Sequence, residues 1–233
     1  MICSIVVPCY NEEKNIESLI DKFKLLNNGS FELIMVNNGS KDNTLKMIEK
    51  EAKNYTFIKI VNIHINKGYG NGILNGLENA TGDILGWTHA DLQTDPLDIK
   101  NGLDLVKKNS NIKNIYIKGR RKNRSFHDSF FTFFMSVFES ILLKEKLYDI
   151  NAQPNLFHRD FYLRIRDNAP KDFSLDLYFY YMALKNKLEI KKFNVLFPDR
   201  IHGYSSWNNS LKSKYKFIKR TINFSFKLKR MIK

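Results

Sequence analysis

Short apolar runs alternate with longer segments of helical period through the first two-thirds of the chain, and this alternation constrains the fold most. Residues 5–7, 31–36, 57–63, 84–88 and 115–118 read as strands. Between them, Ile16, Leu19, Ile20 and Phe23, then Leu45 and Ile48, then Ile73, Leu74 and Leu77 recur at helical spacing. Strands separated by helices predict a mostly parallel sheet covered by helices. A further helix is expected over residues 97–107, with Asp95-Pro96 as its cap and first turn. A mixed α/β stretch follows, with a helix over 175–185 and a strand over 189–197. No linker, repeat or low-complexity segment interrupts the pattern. The expectation is one α/β domain over residues 1–207 and a basic amphipathic helical arm over 208–233.

Open α/β sheets bind ligands beyond the carboxyl ends of their strands. Three polar clusters fall at such ends: Pro8-Cys9-Tyr10-Asn11-Glu12, Asn37-Asn38-Gly39-Ser40 and His89-Ala90-Asp91-Leu92-Gln93. A parallel sheet would bring them to one edge although the chain separates them widely. Each alone is no more than turn chemistry; the three together indicate a site. Asp91 and Gln93, two oxygen donors at i and i+2 of an extended segment, would face one cation. Such a pair suits Mg²⁺ or Mn²⁺ held mainly by substrate phosphates.

Charge narrows the partners. Among 233 residues, 38 Lys and Arg against 24 Asp and Glu give a net charge of +14, which favours polyanions. No acidic residue follows Asp199, whereas nine Lys and Arg lie between Lys212 and Lys233. Leu211, Tyr215, Ile218, Ile222 and Phe226 recur there at steps of three and four, so the tail fits an anionic membrane surface. Nucleic acid is not expected, because no RNA- or DNA-binding motif is present. The helical stretch from Ser125 onward holds Phe126, Phe130, Phe131, Phe133, Phe134 and Phe138. About half of those rings suit an ordinary core, and the rest suit lipid or the bilayer interface. His127, Asp128 and Glu139 keep it from crossing a bilayer. With only Cys3 and Cys9 and no basic leader, the simplest address is the cytoplasm, peripheral on the inner face of the membrane.

The motifs, taken in order, resemble those of family 2 glycosyltransferases. Val7-Pro8-Cys9-Tyr10-Asn11-Glu12 resembles their VPxYNE opening, and Asn37 to Thr44 their DDGSxDxT segment. Lys67-Gly68-Tyr69-Gly70 is similar to the glycine loop that follows. Ala80-Thr81-Gly82-Asp83 with His89 to Gln93 resembles the ATGD…DADLQ block of the dolichyl- and polyprenyl-phosphate sugar synthases. Asp199-Arg200-Ile201-His202-Gly203-Tyr204-Ser205-Ser206 resembles their DRxxGxSK element.

The resemblance implies a GT-A fold and a nucleotide-diphospho-sugar donor. Pro8, Tyr10, Glu12, Asn37, Gly39, Gly68, Gly70 and His89 would then form the nucleotide-sugar pocket. Asp91 and Gln93 would bind the divalent cation, and Arg120, Arg124 and Arg200 would hold phosphates. Asn37 replaces the usual aspartate, His89 the first aspartate of DxD, and Ser206 the usual lysine. The first two substitutions each remove a negative charge from the pocket.

The implied reaction is inverting transfer to polyprenyl phosphate, already an anionic nucleophile. Two alternatives stand beside it. One is transfer to a hydroxyl of a lipopolysaccharide or capsule glycan, for which Asp176 is the nominated base. The other is a non-catalytic homologue that tethers partners to membrane.

Overall fold

The computed structural model describes residues 1–123, 126–198 and 211–231, and side chains throughout these except at 126–131, 211–214, 216 and 217. Strands β1 (Cys3–Cys9), β2 (Phe31–Asn38), β3 (Ile58–Ile63) and β4 (Ile84–Trp87) alternate with helices α1 (Ile16–Lys24), α2 (Thr44–Ala52) and α3 (Tyr69–Asn79). After α4 (Asp98–Lys107), β5 (Ile115–Lys122) leads into α5 (Phe126–Leu143). Then come β6 (Asn155–His158), α6 (Arg159–Ile165), α7 (Leu175–Lys185), β7 (Glu189–Leu196) and α8 (Leu211–Met231).

The seven strands form one sheet in the order β3-β2-β1-β4-β6-β5-β7. β6 runs antiparallel to both its neighbours, β4 and β5, while the other pairs are parallel. The expected α/β architecture is therefore observed, with one reversed strand inside it. Neither β6 nor α6 was anticipated as a separate element.

Side-chain alternation explains the layers. Val6, Ile34, Leu85, Tyr116 and Phe157 face one core with α3, α6 and α7. Their neighbours Ile5, Leu33, Ile84, Ile117 and Leu156 face a second core with α1 and α4. Helix α1 shows how sequence sets the packing: Ile16, Leu19, Ile20 and Phe23 share one stripe and are fully buried. Four such side chains contribute roughly 8 kcal/mol of gross burial.

Two expected helix starts differ in detail. Helix α4 begins at Asp98, and the Asp95 carboxylate accepts from the Leu97 N–H at 3.1 Å, closing a turn ahead of the helix. Ser174 precedes α7, but its hydroxyl makes no capping bond. Asp176 points its carboxyl into the sheet core, away from the helix-start amides.

In the C-terminal arm, α8 packs its second half on the domain. Leu228 and Ser225 are fully buried and Phe224 joins the α7 core, whereas Tyr215 and Phe226 stay exposed. The buried stripe is thus rotated from the one the apolar spacing marks. On α5, Ser136, Glu139 and Leu143 face inward, while Phe133, Phe134, Val137 and Ile141 face solvent. None of the helices, over the described residues, is long and apolar enough to cross a membrane.

Candidate nucleotide and transfer site

Register places the polar strand ends side by side. Cys9 pairs with Asn37 and Asn37 with Asn62, so β1, β2 and β3 end together, and Trp87 of β4 sits opposite Val6. The loops after β1 and β2 then tie to each other. Asn11 donates its N–H to Ser40 Oγ at 3.1 Å and accepts from the Lys41 N–H at 2.8 Å. The Glu12 N–H donates to Thr44 Oγ1 at 2.8 Å, and Glu13 Oε2 accepts from the Asn43 N–H at 2.9 Å. Asp42 accepts from the Thr44 N–H and hydroxyl. Two motifs about 30 residues apart are one hydrogen-bonded unit. The turn at Gly39 has φ +72, and a Cβ there would meet the Asn66 nitrogen at 2.4 Å, so only glycine fits.

Asn37 is buried. It donates from Nδ2 to Asn62 Oδ1 at 2.8 Å and accepts at Oδ1 from the Ser40 N–H at 3.2 Å. An amide pair thus stands where the family pattern has a carboxylate. Pro8 is half-buried beside it and Tyr10 is exposed at the rim, while Glu12 accepts from Asn15 at 2.6 Å. The glycine loop lies under the segment before α7. Gly68 has φ +117, and a Cβ on Gly68 or Gly70 would meet carbonyl oxygens of Lys171 or Pro170 at 2.5 and 2.6 Å. This close approach accounts for both glycines without invoking a ligand.

Beyond Trp87 the chain turns sharply rather than running extended. Leu92 has φ +59, and Asp91 Oδ1 accepts from the Gln93 N–H at 3.2 Å. Gln93 donates from Nε2 to the Pro198 carbonyl at 3.1 Å, anchoring the loop to the end of β7. The expected extended i, i+2 pair is therefore a folded turn. Asp91 is 5% exposed at the strand edge. No group of three or more His, Cys, Asp and Glu suited to a metal occurs among the described residues. The donor types of Asp91 and Gln93, with His89 two positions before Asp91, would suit a cation whose other ligands are phosphate oxygens.

Next to this turn lies an aromatic stack. The Tyr69 ring lies 5.9 Å from His89 and stacks on Phe173 at 4.7 Å. Asp176 is buried behind the stack, accepting on Oδ1 from Trp87 Nε1 at 3.3 Å and Asn155 Nδ2 at 3.2 Å. Burial raises its pKa against the opposing pull of His89, Lys118, Trp87 and Tyr69. Its surroundings make it a hub that fixes the end of β4 to β6 and α7.

The basic run from Arg120 belongs to β5 itself and pairs with β7 as far as Lys122, where the sequence suggested a loop. Arg120 is exposed with its guanidinium over the Tyr148 ring at 5.7 Å. The neighbouring Arg121 takes the inward role, donating to Asp149 from its backbone N–H and from Nε, each at 2.8 Å. Burial works to raise the pKa of Asp149, but Arg121 and Lys118 hold it below the usual carboxylate range. Lys118 is fully buried and donates to the carbonyls of Asp149, Ile150 and Ala152 at 2.9, 3.2 and 3.0 Å. Burial pushes its pKa down to about 7. Sequence reading missed Lys118, Asp149 and Asn155; a lysine inside an apolar strand was the one visible signal. Arg124 and Arg200 lie outside the described residues.

Residues 4–170 match Glycosyl transferase family 2. The chain belongs to that family. Among curated relatives, an undecaprenyl-phosphate 4-deoxy-4-formamido-L-arabinose transferase of Proteus mirabilis (strain HI4320) is 34% identical over 134 residues, 55% of this chain and 39% of that protein. A dolichol-phosphate mannosyltransferase of Pyrococcus furiosus is 29% identical over 122 residues, 51% of this chain and 34% of that protein. The matched segments thus span little more than a third of these relatives. The fold is shared with the glucosyl-3-phosphoglycerate synthase of Mycobacterium tuberculosis in complex with Mn²⁺, UDP and phosphoglyceric acid. The TM-score is 0.75 at 17% identity, covering 98% of this chain and 78% of the synthase. It is also shared with a mannosyltransferase from Pyrobaculum calidifontis in complex with GDP-Man and Mn²⁺. That TM-score is 0.66 at 18% identity, covering 88% and 59% of the two chains. The GT-A fold expected from the motifs is the fold observed.

Proposed function

We propose that this chain is a glycosyltransferase that moves a sugar, with inversion, from a nucleotide-diphospho-sugar to polyprenyl phosphate at the cytoplasmic face of a membrane. The observation that supports this reading is the parallel register of β1, β2, β3 and β4, which leads the segments that follow them, 8–12, 37–44 and 89–93, out at the same edge of the sheet. Polyprenyl-phosphate transferases among its relatives support this acceptor class. The Mn²⁺–nucleotide complexes of two fold neighbours support a donor of this type.

In this reading the base sits against Asn37 and Asn62, and Pro8 and Tyr10 line its pocket. A divalent cation held by Asp91 and Gln93 beside His89 would neutralise charge developing on the departing diphosphate. An acceptor phosphate oxygen attacks the anomeric carbon while the bond to the diphosphate breaks, and the nucleotide diphosphate leaves with the electron pair. The nucleophile carries its own charge, so no general base is required. Asp176, held by Trp87 and Asn155, then serves to position the strand ends. The exposed Phe133, Phe134, Val137 and Ile141 on α5 support attachment at the bilayer interface, together with the acid-free basic tail.

The test is nucleotide diphosphate release from UDP- and GDP-sugars with Mn²⁺ or Mg²⁺, using vesicles with and without undecaprenyl phosphate. Release that depends on the lipid phosphate is expected. Release only with hydroxyl-bearing glycan acceptors would favour the glycan reading. No turnover and no thermal shift with any nucleotide diphosphate would leave the non-catalytic tether.

A further inference from the structure

A small concavity walled mostly by apolar surface lies where α5, α7 and α8 meet. Its volume is about 50 Å³, and its wall runs from Arg121 and Phe173 to Glu139 and Thr221. A single water needs on the order of 10–15 Å³ by this measure, so the space suits about three to five heteroatoms.

Three of the residues that line it carry a buried side-chain oxygen with no hydrogen-bond partner: Ser136 Oγ, Glu139 Oε2 and Ser174 Oγ. The residues are 3%, 0% and 1% exposed. All three belong to residues that line this one cavity. Ser136 and Glu139 stand at i and i+3 on one face of α5, and Ser174 faces them from the start of α7. Ser225 of α8 donates to Glu139 Oε1 at 2.7 Å, which fixes that carboxyl while Oε2 stays unpartnered.

The rest of the lining selects among ligands. Met135, Phe173 and Leu177 supply apolar wall. Arg121 is already matched by Asp149, and Glu139 adds a carboxyl, so the cavity holds no surplus positive charge for a phosphate. Hydroxyl acceptors beside apolar surface match a sugar, which has hydroxyl edges and C–H faces. Phe173 also stacks on Tyr69, next to His89, so the cavity and the transfer site share a wall.

We infer that the cavity between α5, α7 and α8 is a sugar subsite that takes one hydroxyl edge of a pyranose through Ser136, Glu139 and Ser174. The inference rests on the glycosyl-transfer reading and adds to it the place where the sugar is recognised. The pyranose has two possible sources, the donor's sugar or a glycosyl unit of the acceptor.

The experiment compares the wild-type chain with Ser136→Ala/Ser174→Ala and with the cavity-filling Ser136→Leu. Calorimetry with Mn²⁺ measures UDP against UDP-glucose and GDP against GDP-mannose. Saturation-transfer NMR measures methyl glucoside and methyl mannoside. A donor source predicts that the double variant loses at least fivefold in affinity for a sugar conjugate and keeps its nucleotide diphosphate affinity within twofold. An acceptor source predicts loss of the glycoside signal instead. Unchanged conjugate affinity and unchanged glycoside signal in the double variant would overturn the inference, leaving a cavity that holds only water. If Ser136→Leu does not fold, the double variant alone decides. Failure of UDP and GDP to bind the wild type would count against the transfer reading, and the glycoside arm would still decide the cavity.

Discussion

The edge formed by β1, β2 and β3 differs from the region built by α5, α7 and α8. At the first, the polar groups of two motifs satisfy each other: Asn11 with Ser40 and Lys41, Glu12 with Thr44, Glu13 with Asn43. At the second, three residues lining a common cavity carry buried oxygens without partners, and apolar side chains on the outer face of α5 meet water. Unpartnered oxygens also occur near the first, at Asn38 Oδ1 and Thr88 Oγ1. The strand-end edge is thus organised before any ligand arrives, and the region of α5, α7 and α8 leaves buried contacts unmet. Preorganisation of the first kind lowers the ordering cost of binding.

The strongest way to break this contrast is Asp91→Asn. If the first edge is a finished diphosphate site, the variant keeps its melting temperature and loses donor turnover by about 10³-fold, roughly 4 kcal/mol of transition-state stabilisation. An active variant would remove the chemical basis for calling that edge the site. Next comes Lys118→Met, which leaves the carbonyls of Asp149, Ile150 and Ala152 without their donor. Urea unfolding should show a loss of about 3 kcal/mol; a loss below about 1 kcal/mol would mean that water replaces the ammonium.

Glu139→Gln sharpens the second side of the contrast. Burial raises the Glu139 pKa to about 7, with Ser225 pulling the other way. Its folded-state pKa exceeds the unfolded one, so the stability it contributes is present below about pH 4.5 and is lost as pH rises through 7. The glutamine variant should match the wild type near pH 5 and exceed it at pH 8 by on the order of 2–3 kcal/mol. A pH-independent difference would contradict the neutral, buried carboxyl. The smallest stability effect is expected for Phe133→Ser/Ile141→Ser, within about 0.5 kcal/mol because both side chains are exposed. Cosedimentation with anionic vesicles should fall about tenfold in the same variant, and unchanged binding would remove α5 from the membrane face.

How much of this was legible in the sequence follows the same division. Strands β1 to β4 and their loops were readable because parallel strands end in turn residues and the apolar runs are continuous. Asn155–His158 was not, since four residues passing straight into α6 leave no turn signal. The extension of β5 through Arg120 and Arg121 was hidden by their charge, which suits a loop until β7 pairs with them. Asp176 was chosen from its position before a helix. Its partners Trp87 and Asn155 lie 89 and 21 residues away, and local pattern carries no trace of such contacts. Lys118 likewise met its carbonyl cage only through a loop more than 30 residues on.

The reversed direction of β6 has a mechanical consequence. Every other strand delivers its last residue to the edge that carries the candidate site; this one begins there, at Asn155, directly after the segment pinned by Lys118 and Arg121. That segment continues from the end of α5. A tilt of α5 as it meets a bilayer would therefore pull on a short tether running to Asn155, and through it on Asp176 and Trp87. Lipid engagement and the alignment of β4 with α7 would then be linked by that backbone and by the buried Asn155–Asp176–Trp87 hydrogen bonds.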